Sequence, residues 1–210
     1  METIDQIIAR EEEQMFQATS ALTSRPFWSG EAVDAFKDLL AAYKETVKEK
    51  GREFVADRQT LENIKALAVW LTASSGKRGV YLAGNCGNGK TTMMAAFEKV
   101  CRKRGMRVLR TSAPRMVNWH LDGHSVLDLP YQEKVICIDD LGTEAAESMV
   151  YGNKVSVMAD FFEEAYKTDC FLFVTSNLGA QEIQDRYGER VRDRFREIFH
   201  SKKFTNASYR

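Results

Sequence analysis

The chain has 210 residues, enough to bury one full hydrophobic core plus a small appendage. Its 30 Lys and Arg balance 30 Asp and Glu, so bulk charge does not announce a nucleic-acid binder, and any basic surface must be local. A hydrophobic share of 44% argues against disorder, and no stretch approaches the ~20 apolar residues of a membrane span.

In chain order, METIDQIIAREEEQ is acidic and amphipathic, unlike a signal peptide, so the expected compartment is cytoplasmic. Thr3 with Gln6 reads as a capping box, with Ile4, Ile7, Ile8 and Met15 on one helix face. Ser20 to Gly30 reads as a linker. Val33, Phe36, Leu39, Leu40, Tyr43 and Val47 make a second helical stripe that stops at Gly51. These features define a helical segment over residues 1–50, whose apolar stripes serve either packing or a partner protein. From residue 51 to 210 helices and strands alternate. Leu61, Ile64, Leu67 and Leu71 mark a helix, and Val80-Tyr81-Leu82 a short strand. Thr91 to Arg104 is helical, Val108-Leu109 lies in a second strand, and Val135 to Ile138 form a third. A helix with Val155, Met158, Phe162 and Ala165 on one face precedes a fourth strand, Phe171 to Val174. Such alternation predicts an α/β domain with a mainly parallel sheet.

The segment Gly84-Asn85-Cys86-Gly87-Asn88-Gly89-Lys90-Thr91, followed by Thr92, matches the phosphate-loop pattern between a strand and a helix. Phosphate oxygens need several converging N–H donors, and glycines let the backbone wrap without side chains in the way. The helix N-terminus adds a favourable dipole. Lys90 is expected to reach the β- and γ-phosphates, and Thr91 to place its hydroxyl on Mg²⁺. With no nucleotide bound, the Lys90 ammonium is expected to be solvated. The third strand ends in Asp139-Asp140, where a carboxylate suits the metal. Asp140 is a candidate to activate water, with Glu144 as its rival. The fourth strand runs into Thr175-Ser176-Asn177, at the end where parallel sheets bind ligands, and Asn177 is the candidate to hold water or the γ-phosphate. Tyr187 to Arg196 alternates charges, which suits a solvated helix face or arginines offered to a phosphate.

The order GNCGNGKTT, VICIDDLGTE, YGNK, FVTSNL, YGERVRDRFRE and ASYR, over Phe54 to Arg210, resembles the AAA+ ATPases of the helicase-loader and transposase-helper group (DnaC/IstB-like). The resemblance implies a P-loop NTPase of AAA+ type with a parallel five-stranded sheet flanked by helices. It implies ATP and Mg²⁺ as cofactors and ATP hydrolysis as the reaction. Lys90 and Thr91 take the Walker A places, and Asp139 and Asp140 the Walker B places. Asn177 takes that of sensor 1, Arg194 that of an arginine finger offered to the next copy in a homo-oligomer, and Arg210 that of sensor 2. Phe54 to Asp57 would lie near adenine. The implied partner is a replicative helicase loaded onto DNA or, alternatively, a transposase delivered to its target; an ATP-binding adaptor with little turnover is the third reading. Arg210 ends the sequence, so little or no C-terminal lid is expected. Asp140 stands where the wider superfamily has glutamate, which implies slower hydrolysis.

Two further features concern nucleic acid and metal. Lys99, Arg102, Lys103, Arg104, Arg107 and Arg110 form a basic run suited either to single-stranded DNA or to a solvated helix end. Between Thr111 and Lys134, Pro114, Gly123 and Pro130 leave room for only a short helix. Trp119 reads as a packing residue or a base-stacking one. His120 and His124 have no ligand cluster around them, and Cys86, Cys101, Cys137 and Cys170 lack zinc-ligand spacing and read as reduced thiols.

Overall fold

A computed structural model of the chain describes residues 6, 30–73, 77–150 and 153–206. The predicted helix from Thr3 to Met15 (Gln6 apart), the linker from Ser20 up to Gly30, and Ser208-Tyr209-Arg210 lie outside the described residues. The chain divides into two compact units, Met1–Gly76 with Ala95–Val100, and Lys77–Met94 with Cys101–Arg210.

The first unit is built on helices α1 (Ala32–Glu49) and α2 (Arg58–Thr72). The stripe read from sequence packs inward: Phe36, Leu39, Leu40 and Tyr43 are buried, each burial contributing roughly 1.5–3 kcal/mol. They face α2, whose Leu61, Ile64, Leu67 and Leu71 are buried in turn. Asp57 starts α2 by accepting from Thr60 N at 2.9 Å and from Thr60 Oγ1 at 2.7 Å. Tyr43 meets Phe54 edge-on at 6.1 Å between centroids. Lys99 joins this unit through ion pairs to Glu49 at 2.6 Å and Glu45 at 3.3 Å.

The second unit holds a five-stranded sheet in the order β2-β3-β6-β1-β7, parallel throughout. The strands are β1 (Gly79–Gly84), β2 (Leu109–Ser112), β3 (Val135–Leu141), β6 (Phe171–Ser176) and β7 (Phe199–Phe204). A hairpin of β4 (Ser148–Val150) and β5 (Asn153–Val155) lies apart from this sheet. The sequence reading located four of the five sheet strands. It missed β7, where only Phe199 and Phe204 are fully buried and four polar residues lie between them. Val155 belongs to β5 and not to the following helix, α6 (Val157–Tyr166), because Ser156 breaks the run.

Helix α3 (Lys90–Lys103) follows the phosphate loop. The stretch after β2 forms α4 (Ala113–Leu121), with Pro114 in its first turn, then a 3₁₀ turn (Val126–Asp128) and the single-turn α5 (Leu129–Gln132). This is the short helix that the prolines predict. α7 (Ala180–Tyr187) and α8 (Glu189–Ile198) meet at Gly188, whose φ is 91°. The core joins Ile136, Ile138, Leu172 and Val174 of the sheet to Phe161 and Phe162 of α6 and Phe195 of α8. Phe195 lies 4.7 Å from both Phe162 and Phe199, centroid to centroid. The interior strands read as continuous apolar runs because a parallel sheet is covered on both faces. The strand order brings the C-terminal ends of β1, β6 and β3 side by side, where an open α/β sheet holds its ligand.

Candidate active site

The loop after β1 folds as its glycines require. Gly84 has φ 145° and Gly89 φ 94°, conformations that L side chains rarely adopt. A Cβ on Gly84 would also stand 2.6 Å from Asn88 Nδ2 and press on the Phe204 carbonyl. Asn88 is buried, and its Nδ2 donates to Phe204 O at 2.9 Å, which pins the loop to the end of β7. Asn85 and Cys86 at the loop tip are exposed, and Thr92 is half-buried on the first turn of α3.

Lys90 is 5% exposed, contrary to the expectation of a solvated ammonium. Its Nζ donates to Gly84 O at 2.5 Å, Asn85 O at 2.8 Å, Asn88 Oδ1 at 3.2 Å and Asn177 Oδ1 at 3.1 Å. A buried ammonium needs acceptors for its three N–H groups, and a loop curled around it offers carbonyls at short range. Lys90 thereby links the phosphate loop to Asn177, the residue that follows β6.

Asp139 is the second hub. Its Oδ1 accepts from Thr91 Oγ1 at 3.0 Å and also from Thr175 Oγ1. On its other oxygen, Arg110 of β2 approaches to 4.0 Å. Asp140 follows with φ 56°, the one non-glycine residue of positive φ among those described, and is exposed. Its backbone N–H donates to Thr175 Oγ1 at 3.1 Å. The structure thus brings Lys90, Thr91, Asp139, Asp140 and Asn177 to one place and adds Thr175 to them. In the sequence, Thr175 is one polar residue among three at a strand end, and nothing marks it above its neighbours.

A hydroxyl beside a carboxylate is a hard oxygen pair that suits Mg²⁺, which takes one or two protein oxygens and completes its shell with water and phosphate. The donors present therefore fit Mg·ATP. Among the described residues, no group of three or more His, Cys, Asp or Glu could hold a metal by itself.

Glu144, the rival of Asp140, is enclosed, its side chain 1% exposed. Gly142 N donates to its Oε2 at 2.8 Å, Tyr187 Oη donates to its Oε1, and Arg186 Nε pairs with it at 3.5 Å. Burial first, and the Glu144 carboxylate second, hold the Tyr187 phenol well above its ordinary range, so it stays a donor.

Arg194 lies outside this constellation. Its guanidinium stacks on Tyr166 at 3.8 Å from the ring centroid and pairs with Glu197 at 3.8 Å and Glu163 at 3.9 Å. The Arg194 side chain is 26% exposed against 75% for Arg190 on the same helix, so the solvated face holds for Arg190 and not for Arg194. Arg210 lies outside the described residues. Phe54 packs on Tyr43 and Asp57 caps α2.

At least half of the basic run is engaged in ion pairs. Lys99 pairs with Glu45 and Glu49, Arg107 with Glu133 at 2.7 Å, and Arg110 with Asp139. Trp119 packs against the core, with Arg115 4.7 Å from its ring centroid. Cys101, Cys137 and Cys170 are buried, and burial pushes the Cys170 thiol up to about 12. No helix among the described residues is long and apolar enough to cross a membrane.

No family model and no curated protein matches the sequence. Solved structures do match. DnaI is 24% identical, with a TM-score of 0.58, over 75% of this chain and 87% of its own. The DnaC helicase loader is 16% identical, with a TM-score of 0.55, over 72% of this chain and 93% of its own. AMPPCP-bound DnaA from Aquifex aeolicus is 20% identical, with a TM-score of 0.51, over 70% of this chain and 48% of its own. With five parallel strands in this order and a glycine-rich loop after β1, the chain has the fold that is seen in DnaI, the DnaC helicase loader and DnaA.

Proposed function

We propose that the chain is an ATP-binding and ATP-hydrolysing switch that assists DNA replication by loading a replicative helicase onto DNA. One observation carries the nucleotide part. Hydrogen bonds from Lys90 to Asn177, and from Thr91 and Thr175 to Asp139, join a phosphate loop to the ends of two neighbouring strands. Such a constellation suits a triphosphate and its metal. The loader part is supported by the fold shared with DnaI and the DnaC helicase loader, of which the chain covers 87% and 93%. A loader works where its helicase works, so the compartment that goes with this reading is the cytoplasm.

In this reading the phosphate oxygens take over the Lys90 ammonium from the loop carbonyls. Thr91 and Asp139 would hold Mg²⁺, which would draw charge off the phosphates. Asp140, exposed near the end of β3, orients water and accepts its proton. Asn177 stands beside Lys90 and contacts the γ-phosphate. Arg194 is presented to a neighbouring copy of the chain, supported by its held orientation on Tyr166 and Glu163. Arg210 takes the part of sensor 2. Residues 1–50 recruit the helicase and residues 51–210 form the ATPase. Because Phe36, Leu39, Leu40 and Tyr43 are buried within their own unit, we assign the partner contact to residues 1–28.

The test is nucleotide titration with a fluorescent ATP analogue, alongside phosphate release with and without single-stranded DNA. Lys90→Ala removes charge-assisted bonds to phosphate and is expected to weaken binding about ten- to hundredfold. Arg194→Ala is expected to bind normally and hydrolyse slowly, and mixing it with Lys90→Ala restores part of the turnover. Equal affinity in Lys90→Ala sinks the nucleotide site. Turnover that is independent of protein concentration, with no rescue on mixing, removes the oligomer.

A further inference from the structure

Along a regular strand, consecutive residues point to opposite faces of the sheet. Asp139 and Asp140 are consecutive on β3, so a regular strand would send one carboxylate away from the phosphate loop. The sheet departs from regularity at this point. Ile138 pairs with Val174 and the next partner pair is Leu141 with Ser176, so β3 carries one extra residue between them. This is a β-bulge, with Asp139 and Asp140 opposite the single residue Thr175. Bulges re-aim a side chain and leave a gap in the backbone ladder.

Thr175 closes that gap with its side chain. Its hydroxyl accepts the Asp140 backbone N–H at 3.1 Å and donates its proton to Asp139 Oδ1. On the opposite side its own backbone is held in register with Leu82 of β1, and the residue is wholly buried. One hydroxyl therefore ties down both acidic residues. It orients the Asp139 carboxylate against Thr91, and it fixes the Asp140 backbone in a left-handed conformation that few residues other than Gly, Asn and Asp adopt.

We propose that Thr175 is a positioning residue for the metal and the attacking water, holding Asp139 and Asp140 in their working geometry across the β3 bulge. The proposal rests on the nucleotide reading above. Thr175→Val keeps the shape and removes both hydrogen bonds, whereas Thr175→Ser keeps the hydroxyl and removes a methyl group.

The experiment measures affinity for the fluorescent ATP analogue with Mg²⁺ and with EDTA, at a temperature where melting curves show every variant folded. The readout is the factor by which Mg²⁺ tightens binding, a quantity that loss of stability alone does not move. For Thr175→Val this factor is expected to fall about tenfold, as the loss of one charge-assisted bond implies, while affinity in EDTA stays near that of the wild type. Thr175→Ser is expected to keep most of the Mg²⁺ factor. Phosphate release is expected to fall in Thr175→Val and to recover in Thr175→Ser. A wild-type Mg²⁺ factor in Thr175→Val overturns the proposal, and so does an equal loss in Thr175→Ser, which would assign the effect to the methyl group. Should Thr175→Val not fold, Thr175→Cys, a weak donor of similar size, is read by the same criteria. Lys90→Ala separates the two failures. If it binds like the wild type, the nucleotide reading falls. If it loses binding while Thr175→Val keeps the Mg²⁺ factor, only the role of Thr175 falls.

Discussion

Asp140 and Glu144 stand four positions apart beyond the same apolar run and meet opposite surroundings. Asp140 is exposed near the end of β3, its backbone N–H on Thr175 Oγ1, its carbonyl accepting from Thr143, and its φ at 56°. Glu144 turns inward, where Gly142 N, Tyr187 and Arg186 occupy both of its oxygens. A general base needs an oxygen directed at the water it deprotonates. Glu144 instead ties the loop after β3 to the corner between α7 and α8. The contrast teaches that closeness in sequence to a candidate site strand says little about role. A buried carboxylate with filled partners acts as a joint, and an exposed one can be reached by a ligand.

The contrast can be broken in order of expected effect. Glu144→Ala leaves the Tyr187 hydroxyl and the Gly142 N–H without an acceptor and the Arg186 guanidinium without its anion. The expected cost is about 3–5 kcal/mol in denaturant unfolding, the usual result of removing one member of a buried pair. A loss under about 1 kcal/mol would deny Glu144 its structural role.

Asp140→Asn is the converse. Stability is expected to stay within about 0.5 kcal/mol, while phosphate release falls roughly a hundredfold, because an amide cannot accept a proton. Should Asp140→Asn hydrolyse ATP normally while a folded Glu144→Gln does not, the base belongs to Glu144 and the comparison reverses.

The smallest effect sharpens the account of the bulge. Asp140→Gly relieves a left-handed conformation at an exposed position, offset by the entropy of an added glycine. Thermal unfolding is expected to show a gain between zero and about 1 kcal/mol, together with loss of turnover. Clear destabilisation would mean that the Asp140 side chain holds the bulge and that Thr175 does not.

Much of this was legible in the sequence, for reasons that can be named. Continuous apolar runs mark β1, β3 and β6, because strands covered on both faces have no polar side to show. The phosphate loop is a contiguous motif whose glycines serve backbone angles, so Gly84 to Thr91 can be read without any partner. The helix ending at Gly51 obeys the same local logic, with φ 68° at that glycine. β7 was illegible because, with only Phe199 and Phe204 fully buried, six residues hold too little pattern. Lys90 was read as solvated because its acceptors include Asn177, eighty-seven residues away.

The sequence by itself determined where a phosphate loop can sit and which candidate residues stand around it, since backbone conformation and residue type are local properties. Only the tertiary structure decided how those residues are held. The β3–β6 register sets Thr175 against the bulge, the end of β7 receives Asn88, and the α7–α8 corner closes over Glu144. Each of these depends on a contact between residues 35 or more positions apart, and no local pattern encodes the meeting of two such residues.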